Sequence, residues 1–431
     1  MDRRYPMRGA LTAPAIHFQE PQVVIFSSDM RPPDEADTAA IIAAAAGGKT
    51  GLEVFGGGTK RAIGRPTNAT HRLSTRDISG ITLYEPNEMV MSARAGTLLS
   101  EVQSTLAKSN QMLAFEPVEL AGLVGGDARQ ATIGGVFATN ASGPRRLVAG
   151  AARDHLLGIR GINGRGEVFK NGGRVMKNVT GYDLCKGLAG SWGTLAVFTE
   201  VTFKVMPRPQ SSATIALFGL SDEIANEVLC AVMGTPYEIT AAVHIQQPLA
   251  VTLDHREMRG QGRSITAFRL ETSPKSIAYR RERLQQALKI YGEIHSLEQP
   301  RSEAFWEEMT RLSVFEGSDR PLWRISTRPT NGPAVVSAIG RYMPVSAVYD
   351  WSGGLLWLDV PVTSDAGAAD VRRVIASFGG HATLIRATSP TRAATDVFQT
   401  LEPGVLRLSQ KLKATFDPAN ILNPGRMYVA F

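Results

Sequence analysis

Two cysteines in 431 residues, Cys185 and Cys230, are too few for a disulfide framework and too few to hold an iron–sulfur cluster by the usual four thiolates. They read as buried, reduced thiols, and any cluster that exchanged electrons with this chain would belong to a partner. Histidine is scarce as well: His17, His71, His155, His244, His255, His295 and His381 are all isolated, with no pair at the i, i+4 or short-loop spacing of a metal site. Each reads as a surface or hydrogen-bonded structural residue, with His381 in "GGHATLIRA" the first candidate for anything more. No apolar run approaches the ~18 to 20 residues of a membrane span, and the basic opening "MDRRYPMRGALTAPAIHFQEP" has no signal-peptide core. The expectation is a cytoplasmic protein that reaches a membrane only through partners, with residues 1–20 as a loose extension.

Clustered charge is also missing. The net charge of +7 comes from 47 Lys plus Arg against 40 Asp plus Glu, scattered along the chain rather than gathered on one segment. That argues against nucleic acid and suits an anionic cofactor or an acidic partner protein. No low-complexity tract or fixed-period repeat stands out, so a chain of this length predicts two lobes.

The first lobe opens with "RPPDEADTAAIIAAAAGGK", a helix with prolines and acids at its entry and Gly47-Gly48 at its exit. The strand "LEVF" follows, then "GITLYEPNEMVMSARAGT" as strand and turn. An amphipathic helix in "TLLSEVQSTLAKSN" puts Leu98, Val102 and Leu106 on one face, and "QMLAFEP" reads as a strand. A hairpin is expected in "LLGIRGINGRGEVFKNGG", turned by Asn163-Gly164, and the lobe ends at "LAVFTEVTFKVMPRPQ", where prolines stop the last strand. Beyond it, strands such as "SATIALFGL", "AAVHIQQ" and "LLWLDVPV" alternate with helices over Ser276–Tyr291 and Ala366–Phe378. This predicts an open antiparallel sheet covered on one face. A basic helix and a Pro- and Gly-punctuated tail close the chain.

Chemistry concentrates in two glycine-rich segments. "FGGGTK" places Gly56, Gly57 and Gly58 before Thr59 and Lys60; without Cβ atoms the backbone can turn its N–H groups on an anion, a pyrophosphate being the natural guest. The segment is neither a P-loop nor a Rossmann fingerprint, since no Gly-Lys-Ser/Thr or helix follows at the required spacing. "ATIGGVFATNASG" offers a second close-approach site with Thr132, Thr139 and Asn140 as polar partners, and two such loops suit a long dinucleotide.

"FGGGTK", "ATIGGVFATNASGPRR", "KNVTGYDLCKGLAGSWGTLAVFTEVTFKV" and "FDPANILNPGRM", in that order, resemble the flavoproteins that bind FAD in a vanillyl-alcohol-oxidase-type (PCMH-type) domain, the fold shared with D-lactate dehydrogenases. The resemblance covers about residues 30 to 207 and the tail. Within that superfamily, "DWSGGLLWL" and "GGHATLIRA" are most similar to the FAD-binding E subunits of glycolate oxidases, which work with a larger flavoprotein and an iron–sulfur subunit. The resemblance implies an α+β chain: a two-part FAD-binding domain over residues 21–209, an antiparallel α+β cap over 210–400, and a C-terminal helix and tail, 401–431, packing back on the FAD domain.

It further implies noncovalent FAD, with Gly56, Gly57, Gly58, Thr59 and Lys60 around the pyrophosphate and Thr132, Gly134, Gly135, Thr139, Asn140 and Gly143 along the ribityl chain and flavin. Oxidation of glycolate or D-lactate would send electrons to the partner cluster. The closely spaced histidines, the Gly-Asp-Gly-Asn-type segment and the Glu-His segment of catalytic relatives have no counterpart here, which argues against a self-sufficient dehydrogenase; the intact glycine loops argue against a vestigial assembly subunit. Tyr182 and Asp183 read as lying near the flavin or the lobe junction. Trp192 stands where relatives often carry an acid, and Trp351 and Trp357 read as core or partner-facing.

Overall fold

The computed structural model describes residues 27–175 and 181–431, so the N-terminal extension and residues 176–180 within "KNVTGYDL" lie outside the described residues. The first lobe carries two main sheets and a two-stranded ribbon. A three-stranded parallel sheet runs in the order Asp29–Met30, His71–Ser74, Leu52–Phe55, and a five-stranded antiparallel sheet in the order Ile81–Glu85, Val90–Arg94, Ala196–Lys204, Leu156–Asn163, Val168–Gly172. Helix Glu35–Gly48 starts where Asp34 accepts the Asp37 amide and ends where Lys49 turns left-handed at φ 50°. It buries Thr38, Ile42 and Ala45, spaced by four and three. Helix Ile133–Thr139 and the larger sheet share a core built on Phe115, Phe137 and Phe203.

Three local expectations need correction. Leu98 is held extended by a bridge to Thr132, so the helix begins at Leu99 and buries Leu99, Val102 and Leu106. The strand expected in "QMLAFEP" is only Gln111–Met112, paired with Met206–Pro207. In the hairpin the Asn163 carboxamide accepts the amides of Arg165 and Glu167, and the left-handed residue is Gly166, at φ 82°, rather than Gly164. A wider loop than the Asn-Gly pair turns the chain.

The second lobe is one eight-stranded sheet in which every pair is antiparallel. Its order is Ile294–Glu298, Ser211–Phe218, Ile265–Thr272, Ile239–Ile245, Ser346–Asp350, Leu355–Asp359, Leu322–Ser326, His381–Arg386. Two successive βαββαβ units lie side by side, joined where His244 and Ile245 pair with Tyr349 and Val348. Helices Asp222–Met233 and Pro274–Leu288 cover one half of a face, and Gly332–Gly340 and Ala368–Phe378 the other. The opposite face packs Leu322, Val348, Leu355, Trp357 and Ile385 against Ile63, Val118, Leu120 and Leu123 of the first lobe.

A charged clamp crosses the same junction. Glu116 accepts from Arg269 at 2.7 and 2.9 Å and from Arg145 at 3.0 Å, while Arg145 also reaches Glu271 at 2.8 Å. Burial works against the Glu116 carboxylate, but the charges and hydrogen bonds of Arg269 and Arg145 outweigh it and hold the group down to about 2. At the end of the chain, helix Pro403–Phe416 turns a lysine inward. Lys413 Nζ donates to Asp417 Oδ2 at 2.8 Å, Thr194 O at 2.7 Å and Leu422 O at 3.0 Å. Asp417 in turn accepts the amides of Ile421 and Leu422.

Asp417→Ala strands the buried Lys413 ammonium and should cost roughly 3–5 kcal/mol; a lowered melting temperature and earlier proteolysis of the C-terminal tail are the expected readouts. Glu116 contributes stability in full above its ordinary value of 4.5 and loses it as pH falls toward about 2. Glu116→Gln is therefore expected to melt below wild type at neutral pH, and the gap should close in melts run across that acidic window.

Candidate functional site

The first glycine loop leaves strand Leu52–Phe55 and forms one wall of a cleft between the two glycine-rich segments. The cleft brings together Gly56, Gly57, Gly58, Thr59, Lys60, Thr132, Gly134, Gly135 and Thr139, all expected from the sequence, and adds Arg61, Thr75, Trp192, Gly193 and Arg426. Asn140 and Gly143 do not line it. Asn140 caps helix Ile133–Thr139 at φ 52° and accepts the Arg153 amide, while the Gly143 carbonyl accepts from Trp351 Nε1 at 3.0 Å at the lobe junction.

The glycines answer to two constraints. A Cβ at Gly57 would lie 1.6 Å from the Gln130 carbonyl oxygen, so its hydrogen is what lets the two glycine-rich segments pack backbone to backbone. Gly58 takes φ +81°, a left-handed turn that redirects the chain into Thr59 and Lys60. The result is a run of backbone donors: among the described residues, the amides of Gly56, Gly57, Gly58, Thr59 and Lys60 donate to no acceptor. Gly56, Gly57 and Gly58 are half-buried and Thr59 and Lys60 buried, and such a run of unpartnered donors on a concave wall suits an external acceptor.

Lys60 adds charge to the same wall. Its ammonium is buried, finds only Thr59 Oγ1 at 3.4 Å, and has its proton affinity lowered by that burial, against a weaker pull from Glu119. An anion fits this donor-rich, acceptor-poor cradle, and the pyrophosphate of FAD is such an anion. Among the described residues, no cysteine or histidine lines the cleft.

The tail fixes the loop from behind. Asn423 accepts the Val54 amide at 2.8 Å and donates to the carbonyls of Val54 and Trp192, and Arg426 donates to the carbonyls of Lys60 and Ile63. Arg426 and Trp192 thus join the site from segments whose sequence signal was only their place in "NPGRM" and "GSWGTL".

The other singled-out residues take varied places. Asp183 caps helix Leu184–Leu188 through the Lys186 amide, whereas Tyr182 is 89% exposed. Trp351 and Trp357 are core. His155 bonds the Ala149 carbonyl, His244 bridges Thr266 and Asp222, His255 meets the Arg301 carbonyl, and His295 pairs with Glu257. His71 lies 3.0 Å from the Ser27 carbonyl, and His17 falls outside the described residues. His381 is exposed and makes no hydrogen bond among the described residues. Among those residues, no three of His, Cys, Asp and Glu gather as metal ligands. No helix there is long and apolar enough to cross a membrane.

Gly57→Ala forces the two glycine segments apart. A loss of about 1–3 kcal/mol is expected, read as a lower melting temperature of the apoprotein. An unchanged melt would mean that the loop contact carries no weight.

Residues 28–172 match a family model described as an FAD binding domain. The chain is 33% identical over 385 residues to the glycolate oxidase subunit GlcE of Escherichia coli (strain K12), covering 88% of this chain and 93% of that protein. It is 26% identical over 320 residues to the glycolate oxidase subunit GlcD of Bacillus subtilis (strain 168), covering 69% and 68%. Among solved structures, the 4-ethylphenol oxidase from Gulosibacter chungangensis superposes with a TM-score of 0.69 at 14% identity, covering 93% of this chain and 89% of that one, a likeness of fold. With FAD as its cofactor and an α+β, PCMH-type architecture, the chain belongs to the glycolate oxidase subunit GlcE family of FAD-linked oxidoreductases.

Proposed function

We propose that this chain is the smaller FAD-binding subunit of a glycolate oxidase complex, which oxidises glycolate or D-lactate to the 2-oxo acid and passes the electrons to an iron–sulfur subunit beside a larger flavoprotein. The observation that carries the reading is the run of five unpaired amides backed by the buried Lys60. Residues 21–209 form the FAD-binding domain, 210–400 the cap, and 401–431 the segment that returns to brace the first. Gly56 to Lys60 hold the pyrophosphate, and Thr132, Gly134, Gly135 and Thr139 the adjoining part of the cofactor. Asn140 and Gly143 serve from behind, by ending the helix and receiving the cap's Trp351. The cofactor is read as noncovalently held, in keeping with a cleft whose described lining has no cysteine or histidine.

FAD, when bound, supplies the acceptor for the hydride that leaves the hydroxyl-bearing carbon. The residues of this chain contribute binding, charge and exclusion of water. Lys60 offers a cation to the anionic cofactor, and Trp192, its ring 5.4 Å from Phe398 and its backbone tied to Asn423 and Ala138, closes one side of the cleft with an apolar surface. The seven histidines supply no paired base, so the larger flavoprotein completes the proton transfer.

Assembly has a surface to match. Helix Pro403–Phe416 turns Lys413 inward and leaves Val405, Leu408 and Leu412 exposed at spacings of three and four, flanked by Arg407 and Lys411. An apolar stripe facing water on one helix is the signature of a covered face, and the larger flavoprotein is its occupant.

The purified chain should show an oxidised flavin spectrum that anaerobic glycolate bleaches only after the larger flavoprotein is added; bleaching by the chain alone would make it a dehydrogenase in its own right. Lys60→Met removes a charge-assisted contact and should lower FAD retention about tenfold or more, so normal flavin content in that variant would sink the cofactor placement. Leu408→Glu should keep its flavin and lose the larger subunit on co-purification, and full recovery of the partner would point to another interface.

A further inference from the structure

Helix Pro403–Phe416 is turned the unusual way round. Most helical stability in a folded protein comes from burying an apolar face, since an isolated helix of this length is marginal in water. Here, among the described residues, Lys413 is the one residue of the helix that is buried. Leu406 and Phe416 are half-buried, and the stripe of Val405, Leu408 and Leu412 faces out, Leu408 at 68% exposure. No side chain caps the first turn among the described residues, and a glycine, Gly404, follows the opening proline. Helix Glu35–Gly48, of the same length, has an Asp34 cap and packs Ile42 and Ala45 inward. Little in the free chain therefore holds the first turns of Pro403–Phe416.

The last turn is anchored. Phe416 meets the Phe169 ring edge-on at 5.9 Å, its carbonyl accepts the Gly164 amide, and Arg165 Nη1 donates to the Thr415 carbonyl at 2.8 Å. Lys413 faces two ways from there. Its ammonium donates to the carbonyl of Thr194, which follows Trp192 and Gly193 of the cleft wall, and to the carbonyl of Leu422, next to Asn423. Asn423 ties Trp192 to Val54, on the strand that leads into the glycine loop, and Arg426 takes the carbonyls of Lys60 and Ile63. One lysine thus joins the helix, the Trp192 wall and the tail that shapes the loop. A buried ion pair such as Lys413–Asp417 is a poor source of stability, and the best-attested use of such pairs is to fix register. Unwinding the last turns of the helix would draw Lys413 off both carbonyls at once.

We propose that this helix and the tail form a strap that couples two sites: docking of the larger flavoprotein on the outward stripe and retention of FAD in the glycine cleft strengthen each other, with Lys413 as the positioning residue between them. The strap has a seated form, with Lys413 on the Thr194 and Leu422 carbonyls, and a loose form in which the helix is unwound and Lys413 has left them. The partner takes the seated form, because residues at spacings of three and four share a face only on a helix. FAD takes it too, because Asn423 and Arg426 then hold the carbonyls of Val54, Lys60 and Ile63 and leave the amides of Gly56 to Lys60 to the cleft. Two ligands that favour the same state of a protein raise each other's affinity by one common factor. The inference rests on the reading of the chain as a glycolate oxidase subunit that docks the larger flavoprotein on this helix.

Calorimetric titration of the flavin-free chain with FAD, alone and with a saturating amount of the larger flavoprotein already loaded with its own flavin, tests the coupling without turnover. The partner should tighten FAD about fivefold or more, and FAD should tighten the partner by the same factor. Gly404 has open space where a Cβ would stand, so Gly404→Ala favours the helix without touching the cleft. It should tighten FAD on the free chain by up to about fivefold, and Gln410→Gly, at an exposed position of the same helix, should loosen FAD about two- to threefold. A helix that merely covers surface would move neither. Lys413→Gln should bring the coupling factor close to one. Equal FAD affinity with and without the partner, in a complex that co-purifies, would overturn the coupling and leave the complex reading standing. Wild-type FAD affinity in both Gly404→Ala and Gln410→Gly, or full coupling in Lys413→Gln, would overturn it as well. A chain that takes up no FAD or never joins the larger flavoprotein would bring down the complex reading, and this inference with it.

Discussion

The glycine loop has its shape because the far end of the chain holds it. Asn423 engages Val54 through both its carboxamide atoms, satisfying the amide and the carbonyl of one strand residue from a position 369 residues away. Leu52 donates to the Ile421 carbonyl and Asn423 to that of Leu52, so the tail runs beside Leu52–Phe55 as a further parallel partner. Arg426 then takes the outward carbonyls of Lys60 and Ile63. With those carbonyls occupied from behind, the amides of the loop are the groups left without a partner. The tail is itself held by the buried Lys413–Asp417 pair, whose remaining lone pairs and protons are met by backbone groups, the condition under which such a pair is tolerated in a core.

That dependence explains what could be read in advance and what could not. Helix Glu35–Gly48 was legible because its signals are local: an Asp cap, acids in the first turn, glycines at the exit. The two glycine segments and the alternating strands of the cap were legible for the same reason. Local pattern misplaced the hairpin turn, since Asn163-Gly164 is a strong turn signal in isolation, but the loop packs against Asp417 and the Phe416 carbonyl, and the left-handed position moves to Gly166. Arg426 and Trp192 lie in recognisable segments, but nothing local says that they face the cleft; they line it because the tail and the Ser191–Gly193 turn are folded onto it. Asn140 and Gly143 are a different case. They sit in a glycine-rich run, yet one ends a helix and the other abuts Glu116 and receives Trp351 from the cap. The pattern identified a segment that matters without distinguishing its wall from its frame.

The cap poses a different problem, one of pairing rather than of elements. Two βαββαβ units of similar order meet edge to edge, and nothing in the sequence of either announces that Ile239–Ile245 and Ser346–Asp350 will be the joined edges. The face they create is apolar except where charge is introduced, and that charge is treated in two ways. At Glu116, Arg145, Arg269 and Glu271, cations and anions alternate and close on themselves, binding lobe to lobe.

At Arg146, Arg324 and His381, cations gather around one indole with no anion bonded to them among the described residues. A fold that neutralises four charges across one part of an interface has the means to neutralise two more a few residues away. Arg145 and Arg146 are consecutive, so the chain turns one guanidinium to a carboxylate and the next to none.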